Sequence, residues 1–373
     1  MNIPTNSFEN LVCLAPEHIC SIAPYQGGKP ISELAREMGL NEADIVKLAS
    51  NENPLGISPK AQMAIDEAVH TIARYPDGNS FALRTVIAQK FKVAHSQIVF
   101  GNGSNDILEL VARSFLHGDC EAIYSQHAFA VYPLVTQAVG ATGVVVPAKH
   151  FGHDLEGFLN AITSKTRLIF IANPNNPTGT LIEKDQIKAF LKQVPSNILV
   201  VLDEAYDEYL SATHQSVAIG WLSEFNNLII SRTFSKAYGL AGLRIGFGLM
   251  HASVADMLNR VRQPFNVNSI AQTAAVASLA DDDFVARSYA ANKAGMVQIT
   301  QGLTKLGLCY IPSFANFVSF NIKDAANINQ QLLKNGVIVR PISNYEMPDY
   351  LRVSIGLFNE NARFLTVLTQ IIK

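Results

Sequence analysis

Cysteine is scarce in this chain: four residues in 373, Cys13, Cys20, Cys120 and Cys309, none in a CxxC pair. A disulfide framework is thereby excluded, and the four read as ordinary reduced thiols. Charge is scarce too, at 16% of residues, and the formal net charge is -2 with no polybasic block. That excludes a nucleic-acid surface, which needs clustered Lys and Arg to neutralise phosphates. No apolar run reaches membrane-spanning length, and the opening MNIPTNSFENLV lacks the basic stretch and apolar core of a secretory leader. The chain is therefore expected in the cytoplasm, off membranes, with small molecules as its partners. No internal repeat or low-complexity tract breaks it up, and no metal is expected.

What the chain does have is apolar residues, 48% of the total, so part of its surface is expected to be covered by a partner subunit. Its length suits a large and a smaller unit with separate cores. From Ile45 onward, short β-branched runs alternate with longer amphipathic stretches, which predicts an α/β fold with a mostly parallel central sheet. Strands are expected at Gln97 to Gly101, Ala122 to Tyr124, Gly143 to Val146, Arg167 to Ala172, Ile198 to Asp203, Leu228 to Ser231 and Ile245 to Leu249. Helices are expected at Ser104 to Phe115, Pro133 to Val139 and Lys184 to Gln193. Residues 1–44, carrying Pro4, Pro16, Pro24, Gly27, Gly28 and Pro30, suit an irregular arm. Residues 45–264 form the expected large domain. Residues 265–373 form a smaller α+β domain, beginning with the small-residue helix Ser269 to Leu279.

Ligands of such sheets bind at the carboxyl ends of the strands, so the residues just after each apolar run carry the interest. In SRTFSKAYGLAGLRIGFG, Lys236 follows a strand among Ser231, Thr233, Ser235 and Arg244, the donors a phosphate monoester needs. Burial beside Arg244 would disfavour the ammonium and leave an amine able to act as a nucleophile. In ILVVLDEAYDEY, Asp203 ends a strand apolar enough to be buried on both faces, where a carboxylate must be matched to a cation. Tyr206 lies three residues on. In RLIFIANPNNPTG a strand runs straight into Asn173, Pro174, Asn176, Pro177 and Gly179, and Gly101 to Asp106 opens a helix at Ser104, whose free N–H groups suit an anion.

Taken jointly, NPNNPTG, DEAY and SRTFSKAYGLAGLRIG resemble the class I and II aminotransferases of fold type I over nearly the whole chain. The resemblance implies a pyridoxal 5'-phosphate (PLP) enzyme, with Lys236 as the Schiff-base lysine. Ser104 and Asn105 through their backbone, Thr233 or Ser235, and Arg244 would hold the cofactor phosphate. Asp203 would pair with the pyridine nitrogen, Tyr206 and Asn176 would serve the phenolic oxygen, and Phe129 would stack on the ring. Many members carry an acid at the position of Asn105; backbone N–H groups do the work there, so cofactor binding is expected to survive. Tyr75 in RYPDG matches a tyrosine that reaches the neighbouring subunit's cofactor, implying a homodimer with shared sites.

Within that family, APYQGGKP, LASNENPLG, RYPDG and YLRVSIG are similar to the histidinol-phosphate aminotransferases. That branch implies Tyr25, Asn53, Arg340 and Arg352 as substrate residues. It also implies L-histidinol phosphate and 2-oxoglutarate as substrates, imidazole-acetol phosphate and L-glutamate as products, and a place in histidine biosynthesis. An aromatic amino acid aminotransferase or a phosphothreonine decarboxylase of the same fold is the alternative.

Overall fold

A computed structural model of the chain describes residues 14–25 and 27–373. Seven strands form the central sheet: β1 (Ile98–Gly101), β2 (Glu121–Ser125), β3 (Thr142–Val146), β4 (Thr166–Ala172), β5 (Leu199–Asp203), β6 (Leu228–Thr233) and β7 (Gly246–Met250). Their order across the sheet is β1-β7-β6-β5-β4-β2-β3. Only β7 runs against its neighbours β1 and β6; the other pairings are parallel. Successive side chains of β4 and β5 serve opposite faces, as a period of two demands. Ile169, Ile171, Val200 and Leu202 join one apolar core; Leu168, Phe170, Leu199 and Val201 join the other. Helices Phe81–Phe91 and Lys184–Leu191 cover the first face, and Ser104–Phe115 and Ala252–Val261 the second. With both faces covered, each fully buried Leu or Ile contributes about 1.5–3 kcal/mol.

A second core gathers around an antiparallel sheet of β8 (Phe317–Asn321), β9 (Arg340–Pro341) and β10 (Tyr350–Ser354), in the order β9-β10-β8. Helices Asp282–Lys305, Ala325–Lys334 and Phe358–Ile372 pack on it. Two expectations about this part need correcting. The helix Ser269–Leu279 does not open the second unit, because Ala271, Ala274, Ala275 and Leu279 close onto the core of the large sheet. The change of core falls later, along Asp282–Lys305, whose Ile299 and Leu303 belong to the second core. Nor is the N-terminal arm irregular throughout. Residues Ile31–Met38 make a helix that buries Leu34 and Ala35 against Leu333 and Ile338. Just beyond the arm, at the start of the expected large domain, Val46–Lys47 pairs in parallel with Val337–Ile338 instead of with the large sheet. Among the described residues, no helix is long and apolar enough to cross a membrane.

The carboxyl ends of β1, β2, β4, β5 and β6 lie at one edge of the sheet. Because β7 runs the other way, its first residues lie at that edge too, which brings Arg244 there. Contact is tight at Gly246: a Cβ on it would lie 2.5 Å from the Ser104 nitrogen, 2.8 Å from the Gly103 carbonyl carbon and 2.9 Å from the Arg232 oxygen, all backbone atoms. Gly246→Ala is therefore expected to lose about 1–3 kcal/mol of stability by overpacking. Gly220→Ala, whose added Cβ meets nothing within 4 Å, is the control. Urea unfolding of the two variants checks this; equal midpoints would contradict it.

Candidate active site

A cavity opens at this edge between the large sheet and β10, and Lys236, Asp203, Tyr206, Asn176, Arg352 and Arg340 all line it. Lys236 follows β6 in a turn made possible by Gly239 at φ +73°. Its Nζ donates to the Ser50 carbonyl at 3.0 Å and stands 6.0 Å from the centre of the Tyr206 ring. Burial first, then the nearby Arg352 and Arg244, lower its pKa from 10.5 to about 8, with Glu52 opposing. Near neutral pH a useful fraction of the amine is thus free to act as a base or nucleophile.

Asp203 is buried at the end of β5, and desolvation raises its pKa to about 6. The hydroxyl of Tyr132 donates to its Oδ2 at 3.0 Å, while Oδ1 has no partner although it is buried. A buried carboxylate oxygen left so calls for a cationic N–H. Tyr132 is itself held by Phe170, stacked at 4.6 Å. On the next residues the side chains turn the other way. Glu204, Asp207 and Glu208 converge on buried Arg232 at 2.7, 2.9 and 3.3 Å, tying the ends of β5 and β6 together behind the cavity.

The loop after β4 holds Asn173, Asn175 and Asn176, with cis peptide bonds before Pro174 and Pro177. Asn173 exchanges hydrogen bonds with the backbone of Ile182, and Asn175 donates to the His127 carbonyl at 2.9 Å. Only Asn176 turns into the cavity. Its Oδ1 accepts from Arg352 Nη1, which leaves its amide N–H groups for another acceptor. Arg352 also donates from Nη2 to the Ala49 carbonyl at 2.8 Å, and its Nε is buried without a partner. Across the β9–β10 pair Arg340 stands directly opposite Arg352, and both are buried. Like charges so placed repel unless an anion joins them. Tyr25 lies on Arg340, ring centre to guanidinium 5.6 Å.

At the other end of the cavity, the helix Ser104–Phe115 begins with no side chain capping its first turn. Thr233, Ser235 and Arg244 face that end; Arg244 Nη1 donates to Ser235 Oγ at 3.4 Å. A Cβ on Gly103, at φ +88°, would collide with Arg244 Nη2, so the close approach depends on glycine. Ser104, Asn105 and Phe129 complete the wall. This is the donor set of an anion site: helix N–H groups, hydroxyls and a guanidinium.

The structure brings together all the sequence-derived site residues except two. Asn53 does not line the cavity, contrary to expectation: its Nδ2 donates to the Ala237 carbonyl and Ser288 Oγ, both at 2.8 Å, so it braces the loop from behind. Tyr75 lies away from the cavity, 83% exposed and stacked on Phe265 at 4.8 Å. Three cavity residues or their supports escape the sequence reading. Asn51 sits two residues before Asn53 and donates to the Tyr206 hydroxyl at 3.0 Å. Tyr132 follows Phe129 by three residues, the spacing of one helical turn, and Tyr345 is buried in the wall beside Arg352.

Residues 43–367 match the family described as aminotransferase class I and II. The chain is 68% identical to a histidinol-phosphate aminotransferase of Methylobacillus flagellatus, covering 96% of this chain and 97% of that one. It is 58% identical to histidinol-phosphate aminotransferase 2 of Nitrosospira multiformis, covering 96% and 92%. Its fold is similar to that of histidinol-phosphate aminotransferase from Sinorhizobium meliloti in complex with pyridoxal-5'-phosphate, with TM-score 0.88, 27% identity and coverage of 96% and 97%.

The lowered pKa of Lys236 can be read directly. In competitive acylation of the free protein with acetic anhydride, followed by peptide mapping, Lys236 should reach half-maximal reactivity near pH 8. A midpoint at the ordinary lysine value would contradict the burial argument.

Proposed function

The chain belongs to the class I and II aminotransferases, and from that premise we propose that it transfers the amino group of L-histidinol phosphate to 2-oxoglutarate. The products are imidazole-acetol phosphate and L-glutamate, and the reversible reaction serves histidine biosynthesis in the cytoplasm. The cofactor is pyridoxal 5'-phosphate, and the residues present fit it. The buried, unpartnered Oδ1 of Asp203 suits the protonated pyridine nitrogen. The first turn of the helix at Ser104 and Asn105, with Thr233, Ser235 and Arg244, suits the phosphate; Tyr206 and Asn176 suit the phenolic oxygen; Phe129 suits the ring face. When bound, the cofactor supplies an electron sink that acidifies the proton beside the transferred amine.

The chain's own groups do the rest. Lys236 would hold the cofactor through its amine and, once released, take the substrate's proton on Nζ and return it at the other end of the reacting system. The Ser50 carbonyl keeps Nζ aimed into the cavity. Asp203 keeps the ring nitrogen protonated, and Tyr132 keeps Asp203 charged by donating to its other oxygen.

The observation that carries the substrate is the facing pair Arg340 and Arg352. Two buried guanidinium groups on one cavity, with Tyr25 beside them, match a doubly charged phosphate better than a carboxylate. A substrate lacking the phosphate leaves the buried Nε of Arg352 without a partner, at roughly 1–3 kcal/mol. Histidinol should therefore lose about fivefold or more in kcat/KM. Histidinol phosphate, histidinol, phenylalanine, tyrosine and phosphothreonine compared on one preparation, with products identified, decide it. Preference for an aromatic amino acid, or carbon dioxide released from phosphothreonine, would overturn the substrate and leave the cofactor chemistry standing.

We also propose a homodimer in which Tyr75 completes the partner's phosphate site. Two observations support this. Met63, Ile72, Tyr75, Phe81 and Phe265 are large, apolar and exposed on one chain. The outer rim of the anion site, Asn105 and Arg244, is still exposed as well. Mixing Tyr75→Phe and Lys236→Ala subunits should give hybrids with one doubly altered site and one intact site, and hence activity above either parent alone. No recovery on mixing would argue against sharing.

A further inference from the structure

Three consecutive residues, Ala49, Ser50 and Asn51, each hold a different group of the cavity. The Ala49 carbonyl accepts from Arg352, the Ser50 carbonyl from Lys236, and Asn51 donates to Tyr206. The third contact carries information beyond position, because the direction of every hydrogen bond around Asn51 can be worked out. Its backbone N–H donates to Ser354 Oγ at 2.8 Å. That oxygen is thereby an acceptor, and its own proton goes to Asn51 Oδ1 at 2.9 Å. The amide is thus oriented with Oδ1 toward Ser354 and its NH2 toward Tyr206. Tyr206 Oη must then accept, at 3.0 Å, and its proton is left to point elsewhere.

The backbone supports this arrangement at a cost. Asn51 is buried with φ at +55°, a conformation that costs non-glycine residues energy and persists where surroundings impose it. Asn316 Nδ2 bonds its carbonyl at 3.0 Å, so backbone and side chain are both pinned.

We infer that Asn51 is a positioning residue that sets the proton of Tyr206: with the Asn51 amide donating to the phenol, Tyr206 can only donate into the cavity, toward the phenolic oxygen of the bound cofactor. The inference rests on the cofactor reading given above. A donated proton stabilises the anionic form of that oxygen and so lowers the pH at which the bound chromophore titrates. The other charged or titratable groups facing Tyr206 are Asp203, Lys236, Arg352, Tyr345, Tyr132 and Tyr209.

The test is a spectrophotometric pH titration of the PLP-loaded protein in wild type, Asn51→Asp and Asn51→Gly, each with and without Tyr206→Phe. Aspartate accepts where asparagine donated, so the Tyr206 proton turns away from the cofactor. The midpoint of Asn51→Asp should rise by about one unit or more. Glycine tolerates the positive φ and keeps the backbone bonds to Ser354 and Asn316, but leaves Tyr206 free to turn. Its midpoint should rise by less. Both shifts should shrink to less than half in the Tyr206→Phe background, because the effect runs through that phenol. An unchanged midpoint in either variant, or shifts of equal size with and without Tyr206, would overturn the inference; if Asn51→Asp does not fold, Asn51→Gly decides alone. A wild-type chain that binds no chromophore would overturn the cofactor reading and the inference together, while a bound chromophore that does not titrate would overturn the inference alone, which separates the two failures.

Discussion

A carboxylate buried at the end of a strand covered on both faces is the constraint around which this molecule is organised. Asp203 is buried, so its charge has to be met by protein or ligand. Tyr132 meets one oxygen and nothing in the described chain meets the other. The same burial lowers the pKa of Lys236 and raises that of Asp203, so one environment prepares a base and a hydrogen-bond acceptor for a cation together. In a wetter cleft both groups would sit nearer their ordinary values and the contrast between them would fade.

Keeping such a site rigid requires support on its far side. Arg232 and its three carboxylates provide it: side chains alternate along β6, so Arg232 beside Thr233 points away from the cavity and meets Glu204, Asp207 and Glu208. The cluster holds one cation against three acids, and burial pushes Glu204 and Glu208 up to about 7 while Arg232 opposes that rise. Removing one partner of a buried pair typically costs 3–5 kcal/mol because the other is left uncompensated. It braces the ends of β5 and β6 beyond the reach of their ladder.

Much of this was legible in the residues alone. The strands of the large sheet are continuous apolar runs ending in polar residues, so their positions and the cavity edge follow from hydrophobicity and from the rule for parallel sheets. Lys236, Asp203, Asn176 and Arg244 are readable because each breaks an apolar pattern at a strand end. What was not legible depends on distance in the chain. The small-residue helix Ser269–Leu279 could serve either core, and only its packing on the large one decides. Asn51 and Asn53 share a motif and a residue type. Which of them faces the cavity is set by the positive φ at Asn51 and by Ser354, 303 residues away. Tyr132 looks like an ordinary helix residue until its hydroxyl is seen on Asp203.

Strand β10 has an outcome for how such a protein can change over generations. Leu351 and Val353 belong to the second core, while Arg352 and Ser354 occupy the alternate positions, one lining the cavity and the other hydrogen-bonded to Asn51. Slipping the strand by one residue would exchange both pairs at once, drawing two polar groups into oil and two apolar ones into the cleft. A lineage seeking a new substrate cannot get there by insertions or deletions along this strand. It has to proceed by replacement in place, at Arg352 or opposite it at Arg340, and every successful descendant inherits the same alignment of cavity wall and Asn51 contact.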